Sequence, residues 1–242
     1  MDNQTWKVLP HSAISPLAEN LWVVTGDIPY MNLERIMVVA RLQNGELLLH
    51  SAIAMDEPHM AALEALGKPA HLVVPNGFHR LDAAQYKARY PDMKVYCPTG
   101  AKSRVEKEVP VDFTYLERPH PDPDDPSVVL MEYGHPRFIE GNLQVRSADG
   151  VTAIFCDHLF NIPKGRTGFF WLIYGNLLQS WGSPKVSPAS KALLTVTGIK
   201  RLYREWLETQ AARQDIVRIV PGHGEVVHED ACEVLRAVAN SL

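Results

Sequence analysis

The sequence predicts an α/β fold, and three observations carry that expectation. Between residues 35 and 97 the order reads strand, helix, strand, helix, strand. Several apolar β-type runs end abruptly in polar, Gly- and Pro-bearing loops. The chain has 242 residues, 46% of them hydrophobic and 21% charged, enough to bury a sizeable core in one domain spanning 1–242.

The elements follow in order. LWVVTG (Leu21 to Gly26) is a short strand. RIMVVARLQNGELLLHSAI (Arg35 to Ile53) reads as two strands around Asn44-Gly45, a dipeptide suited to a hairpin turn. Glu57 to Leu66 reads as a helix with Asp56 as N-cap, Pro58 in its first turn and Gly67 as its stop. HLVVP is a buried strand ending at Pro75. Leu81 to Tyr90 has a helical period that Pro91 ends, and KVYCP is the next strand. Glu117 to Pro126 packs four prolines and four acids into ten residues. Strand-like SVVLMEYG follows at once, so the segment reads as a surface excursion within one domain. NLQVRSADGVTAIFCD is a second hairpin with Ala148-Asp149-Gly150 at its turn. Asn161 to Pro188 has no period and carries Phe169, Phe170, Trp171, Tyr174 and Trp181; it reads as packed loop or lid. Ser190 to Gln210 reads as one long helix weakened at Gly198. DIVRIVPGHGEVV is a strand running into a Gly-rich loop, and Glu229 to Ser241 closes the chain as a helix.

Composition excludes several classes. A net charge of -4 argues against a broad nucleic-acid surface. No apolar run approaches the roughly 18 residues of a membrane span. The first residues lack the charged and apolar regions of a secretory signal. Cys97, Cys156 and Cys232 are too scattered for a disulfide framework. The expectation is a cytoplasmic protein with reduced thiols and a small-molecule ligand or substrate, with no nucleic-acid or membrane partner.

Three strand-end loops hold the residues with chemistry. Pro75 to Arg80 carries His79, Cys156-Asp157-His158 carries Asp157, and Pro221-Gly222-His223-Gly224 carries His223. Ligands of open α/β sheets gather at the carboxyl ends of strands. Taken alone, each histidine is a structural hydrogen-bond partner, and Asp157 caps a turn. Converging, the three make a 2-His-1-carboxylate set for a divalent metal.

These motifs resemble those of the metallo-β-lactamase fold superfamily over most of the chain. LWVVTG and RIMVVARLQNGELLLHSAI resemble its opening strands. HLVVPNGFHRLDAAQYKARYPDMKVYCP resembles the strand, HxHxDH loop, helix and strand. AIFCDHLFN resembles the strand ending in Gly-Asp, and RIVPGHGEVV the late Pro-Gly-His-Gly motif. The resemblance implies an αββα sandwich of two mixed sheets with a cleft at one sheet edge.

It also implies an incomplete metal site. Counting back without a gap from KARYPDMKVY, the preferred alignment, puts His79 at the last histidine of HxHxDH, and Val74, Asn76 and Phe78 at the other ligand positions; a different gap places Asn76 and Phe78 on the two leading histidines and leaves His79 off the pattern. Asn76 and Phe78 are then expected to fill the space of lost ligands, with Phe78 closing part of the first metal site. The usual supporting Asp position holds His50, read as a packing or supporting residue with a fourth-ligand alternative. The third-motif ligand is His135 by text or Glu140 by spacing. His158 is expected to be structural, pointing away from Asp157 along an extended strand. His79, Asp157 and His223 correspond to the second of the family's two metal sites. The reading is a protein holding one Zn or Fe ion, or none. With a metal it is a mononuclear hydrolase of a small ester, thioester or phosphoester, with Asp157 as ligand and catalytic residue. Without one it is a non-catalytic protein that binds a small molecule in the ancestral cleft.

Overall fold

The computed structural model describes residues 6–29, 31–135, 137–165, 172–177 and 181–242. A seven-stranded sheet runs in sequence order: β1 (Ser15–Ala18), β2 (Leu21–Asp27), β3 (Glu34–Arg41), β4 (Glu46–His50), β5 (Lys68–Val73), β6 (Lys94–Cys97) and β7 (Phe113–Thr114). Its first four strands pair antiparallel, and β4 to β7 pair parallel. A four-stranded sheet has the order β12 (Ile216–Val220), β10 (Gly150–Ile154), β9 (Asn142–Ser147), β8 (Val128–Met131), with β10 and β12 parallel. A short parallel pair joins β11 (Phe160–Asn161) to β13 (His223–Gly224).

Period-two alternation sets the layers. Leu47 and Leu49 of β4 pack outward with Met60 and Leu63 of α1 (Glu57–Leu66) and Tyr86 of α2 (Ala83–Arg89). Leu48 packs inward with Val38, Val73 and Tyr96 against Leu143, Val145, Ile154 and Val220 of the other sheet. On the far side, Val151, Ala153 and Ile219 meet Tyr203 and Leu207 of Lys200–Ala211 and Leu235 and Val238 of Ala231–Asn240. The result is four layers, helix, sheet, sheet, helix, with one core between the sheets.

Local chemistry explains the elements. The Asn44 side chain accepts from the Glu46 amide at 2.8 Å and so closes the β3–β4 turn. Asp56 caps α1 by accepting from the His59 amide at 3.0 Å. The short helix α3 is Lys102–Val105. Within the acidic excursion, Asp125 is buried and accepts from the Gln43 and Ser127 amides.

The expected long helix over Ser190–Gln210 is instead two helices, α4 (Pro188–Val196) and α5 (Lys200–Ala211). Gly198 lies between them at φ +72, and the Ile199 amide closes back on the Leu194 carbonyl at 3.1 Å. Glycine takes that left-handed conformation without a Cβ penalty, so it ends the helix rather than merely weakening it. The last helix, α6, is Ala231–Asn240. Phe169, Phe170 and Trp171 of the aromatic segment lie outside the described residues. Among the described residues, no helix is long and apolar enough to cross a membrane.

Candidate metal centre

Three loops meet where β5, β10 and β12 end. The Pro-Gly-His-Gly loop presses on the Cys156-Asp157-His158 turn: the Gly222 amide donates to the Cys156 and Leu159 carbonyls at 3.2 Å. A Cβ on Gly222 would lie 2.5 Å from the Cys156 carbonyl, so this approach requires glycine. The β11–β13 pairing then sets Phe160 beside His223, with their rings edge to face at 4.5 Å.

The geometry brings His79, Asp157 and His223 together. His79 Nε2 lies 3.2 Å from His223 Nε2 and 3.3 Å from Asp157 Oδ1, and His223 Nε2 lies 3.2 Å from that same oxygen. Each imidazole is oriented by its other nitrogen. His223 Nδ1 donates to the Glu34 carbonyl at 2.6 Å, and His79 Nδ1 pairs with Ser51 Oγ at 2.9 Å. That leaves the Nε2 side of His223 as a lone pair. A tetrahedral ion with bonds of about 2.0–2.1 Å has ligand edges of roughly 3.3–3.4 Å, so the spacing and donor types fit a divalent metal.

Charge favours the same state. Burial lowers the pKa of His79, against the Asp157 carboxylate that raises it, and so favours the neutral ring that a metal ligand needs. For Asp157, burial alone would raise the pKa. The two imidazoles within 3.3 Å, His79 first, outweigh it and hold the carboxyl well below the usual range. Its side chain is 25% exposed, open to the cavity.

Asn76 occupies the ground beside this triad. Its Oδ1 accepts from the Phe78 and His79 amides at 2.8 and 2.9 Å, a turn that fixes where His79 starts. Its Nδ2 donates to Asp157 Oδ2 at 2.8 Å and to Glu140 Oε2 at 3.1 Å. Glu140 braces the turn from the other side, its Oε1 accepting from the Cys156 and His158 amides at 3.1 and 3.0 Å. Burial, then the neighbouring Asp157 charge, pushes the Glu140 pKa up to about 8.

Of the two third-motif alternatives, Glu140 is at the site. His135 instead accepts from the Arg137 amide in a separate turn. Phe78 does not close a metal position: it is 63% exposed at the cavity mouth, under the Arg104 guanidinium at 5.3 Å. His158 lies in a turn rather than on an extended strand, packed among Tyr133, Phe138 and Tyr203 and lining the same cavity as Asp157. His50 is buried with neither ring nitrogen bonded, and it is not among the converging atoms. Burial, then the charge of His79, lowers its pKa to about 3.

Two features went unread in the sequence. Ser51, held at φ +56, orients His79. Arg35 and Asp82 form a buried ion pair beside the cavity, in which Arg35 also donates to the Ala52 carbonyl at 2.8 Å. A charged residue opening the apolar strand RIMVVA was the available signal for the pair.

The cavity over the triad measures about 480 Å³. Its apolar wall includes Ile28, Met31, Leu33, Phe78, Leu81 and Leu193.

The sequence matches no protein-family model and no curated protein. In structure it is similar to DIM-1 metallo-β-lactamase, with a TM-score of 0.63 and 12% identity over 96% of this chain and 99% of that one. It is also similar to the metallo-β-lactamase FIM-1 from Pseudomonas aeruginosa in its mono-zinc form, with a TM-score of 0.59 and 13% identity over 97% of each chain. For TMB-1 the TM-score is 0.59 at 9% identity, over 97% of this chain and 98% of that one. The chain therefore has the metallo-β-lactamase fold, an αββα sandwich of two mixed sheets.

Proposed function

We propose that this protein is a mononuclear metal-dependent hydrolase of a small neutral ester or thioester. The observation that carries the reading is the convergence of His79 Nε2, His223 Nε2 and Asp157 Oδ1, all within 3.3 Å of one another. These atoms would hold one Zn or Fe ion. The chemistry supplied there would be Lewis-acid catalysis, with a bound water acidified toward neutrality and a carbonyl polarised.

The chain's own residues do the rest. Ser51 and the Glu34 carbonyl aim the two rings, and Asn76 holds the far oxygen of Asp157. Asp157 is thus fixed as a ligand, with one oxygen facing the imidazoles. The apolar wall takes the substrate's hydrocarbon part and excludes water from the polar end. Among the described residues that line the cavity, Arg35 is the permanent cation, and it is committed to Asp82 and a backbone carbonyl. This favours a neutral ester or thioester over a phosphoester.

The competing reading is a metal-free binding protein that uses the same cavity. One observation favours it: the imidazoles and the carboxylate are already within hydrogen-bond distance of each other. The free thiols fit the cytoplasmic setting we assign to either form.

The test is hydrolysis by protein purified without chelator or affinity tag and supplied with Zn²⁺ or Fe²⁺. Substrates are nitrophenyl esters of increasing acyl length, a thioester series and nitrophenyl phosphate. Ester or thioester cleavage that is lost in His223→Ala supports the proposal. Absence of all cleavage with metal bound overturns it. Equal binding of an apolar ligand by wild type and His223→Ala without metal selects the competing reading.

A further inference from the structure

We propose that Glu140, Cys156 and Asp157 form a second metal-ligand set, and that the Asn76 amide plugs it. Their ligand atoms lie within 4.8 Å of one another. Asn76 Nδ2 sits among them, 2.8 Å from Asp157 Oδ2, 3.1 Å from Glu140 Oε2 and 3.4 Å from Cys156 Sγ. Two carboxylate oxygens and a sulfur around one point suit a thiophilic divalent ion. The point is taken by an NH₂ group, whose two protons stand in for a cation's charge.

A fourth ligand-type atom is close by. His158 Nδ1 is buried, has no hydrogen-bond partner and lies 3.8 Å from Glu140 Oε1. The plug is anchored at its other end. Asn76 Oδ1 accepts from the Phe78 and His79 amides, so the amide cannot swing out without undoing the loop that carries His79. With Oδ2 held by the amide, Asp157 offers only Oδ1 to the His79 and His223 imidazoles. It cannot bridge two ions. The inference does not depend on the hydrolase reading, because its test reads a difference of one metal equivalent between proteins, whatever the first site holds.

The experiment titrates the full chain with Cd²⁺ as wild type, Asn76→Ala, Asn76→Asp and the double variant Asn76→Ala with Cys156→Ser. Elemental analysis after gel filtration gives the equivalents bound, and the ultraviolet cadmium–thiolate charge-transfer band reports Cys156. Asn76→Ala removes the plug. Asn76→Asp keeps the acceptor for the loop amides and replaces the amide nitrogen with oxygen. The expected result is no thiolate band in wild type. Each single variant gains one equivalent with the band, and the double variant loses the band. A thiolate band in wild type, or folded variants with wild-type stoichiometry, overturns the proposal. If both single variants stay unfolded with and without Cd²⁺, the amide is a structural brace and the proposal fails.

Discussion

The Nε2 atoms of His79 and His223 lie 3.2 Å apart although 144 residues separate them in the chain. One is delivered by the seven-stranded sheet and the other by the four-stranded sheet, so the contact spans the seam of the sandwich. The Glu34 carbonyl fixes the tautomer of His223, which turns a lone pair toward its partner. Most of the site's chemistry follows from that arrangement.

Ser51 orients His79 without touching the place where an ion would sit. Ser51→Ala is expected to weaken Zn²⁺ affinity by about 10–100-fold, the usual cost of losing such an outer partner, while leaving one equivalent at saturation. Calorimetric titration measures it. Unchanged affinity would mean that packing alone positions the ring.

The Arg35–Asp82 pair is buried on both sides. Asp82→Ala strands the guanidinium and is expected to cost about 3–5 kcal/mol in urea unfolding. Adding Arg35→Leu removes the uncompensated charge and is expected to recover part of that loss. A double variant no more stable than the single one would show that Asp82 acts through its hydrogen bonds from Ala54 and Gln85 instead.

Burial depresses His50 to about 3 and His158 to about 4, against 6.5 for each in the unfolded chain. Folded pKa values below unfolded ones mean that the unfolded state binds the extra protons. Stability is therefore full above about 6.5 and falls as pH drops toward 4. His50→Leu is expected to flatten this fall by up to one proton and to raise stability at pH 5 relative to wild type, because both ring nitrogens are buried without partners. Urea unfolding at pH 8 and pH 5 checks it. An unchanged slope would place the acid sensitivity elsewhere.

The parts of this molecule with a local signature were readable in its sequence. Apolar strands ending in Asn-Gly-Phe-His, Cys-Asp-His and Pro-Gly-His-Gly announced the loops, because strand propensity and glycine placement are properties of neighbouring residues. Counting identified Asn76 as a lost ligand position but not what its amide does, since Glu140 and Asp157 lie 64 and 81 residues away. Phe78 misled for a physical reason: its amide turns in to the Asn76 oxygen while its ring remains exposed. The Arg35–Asp82 pair spans 47 residues. In the sequence Gly198 reads as a weak helix position, and its φ of +72 makes it a stop.

The most direct test of the single-ion site is the metal content of protein loaded with excess Zn²⁺ and freed of loose ions by gel filtration, read by elemental analysis. One equivalent per chain is expected in wild type and none in His79→Ala or His223→Ala, each of which leaves only two protein ligands. Two tightly held equivalents in wild type would contradict it, as would none in wild type or one retained by both variants.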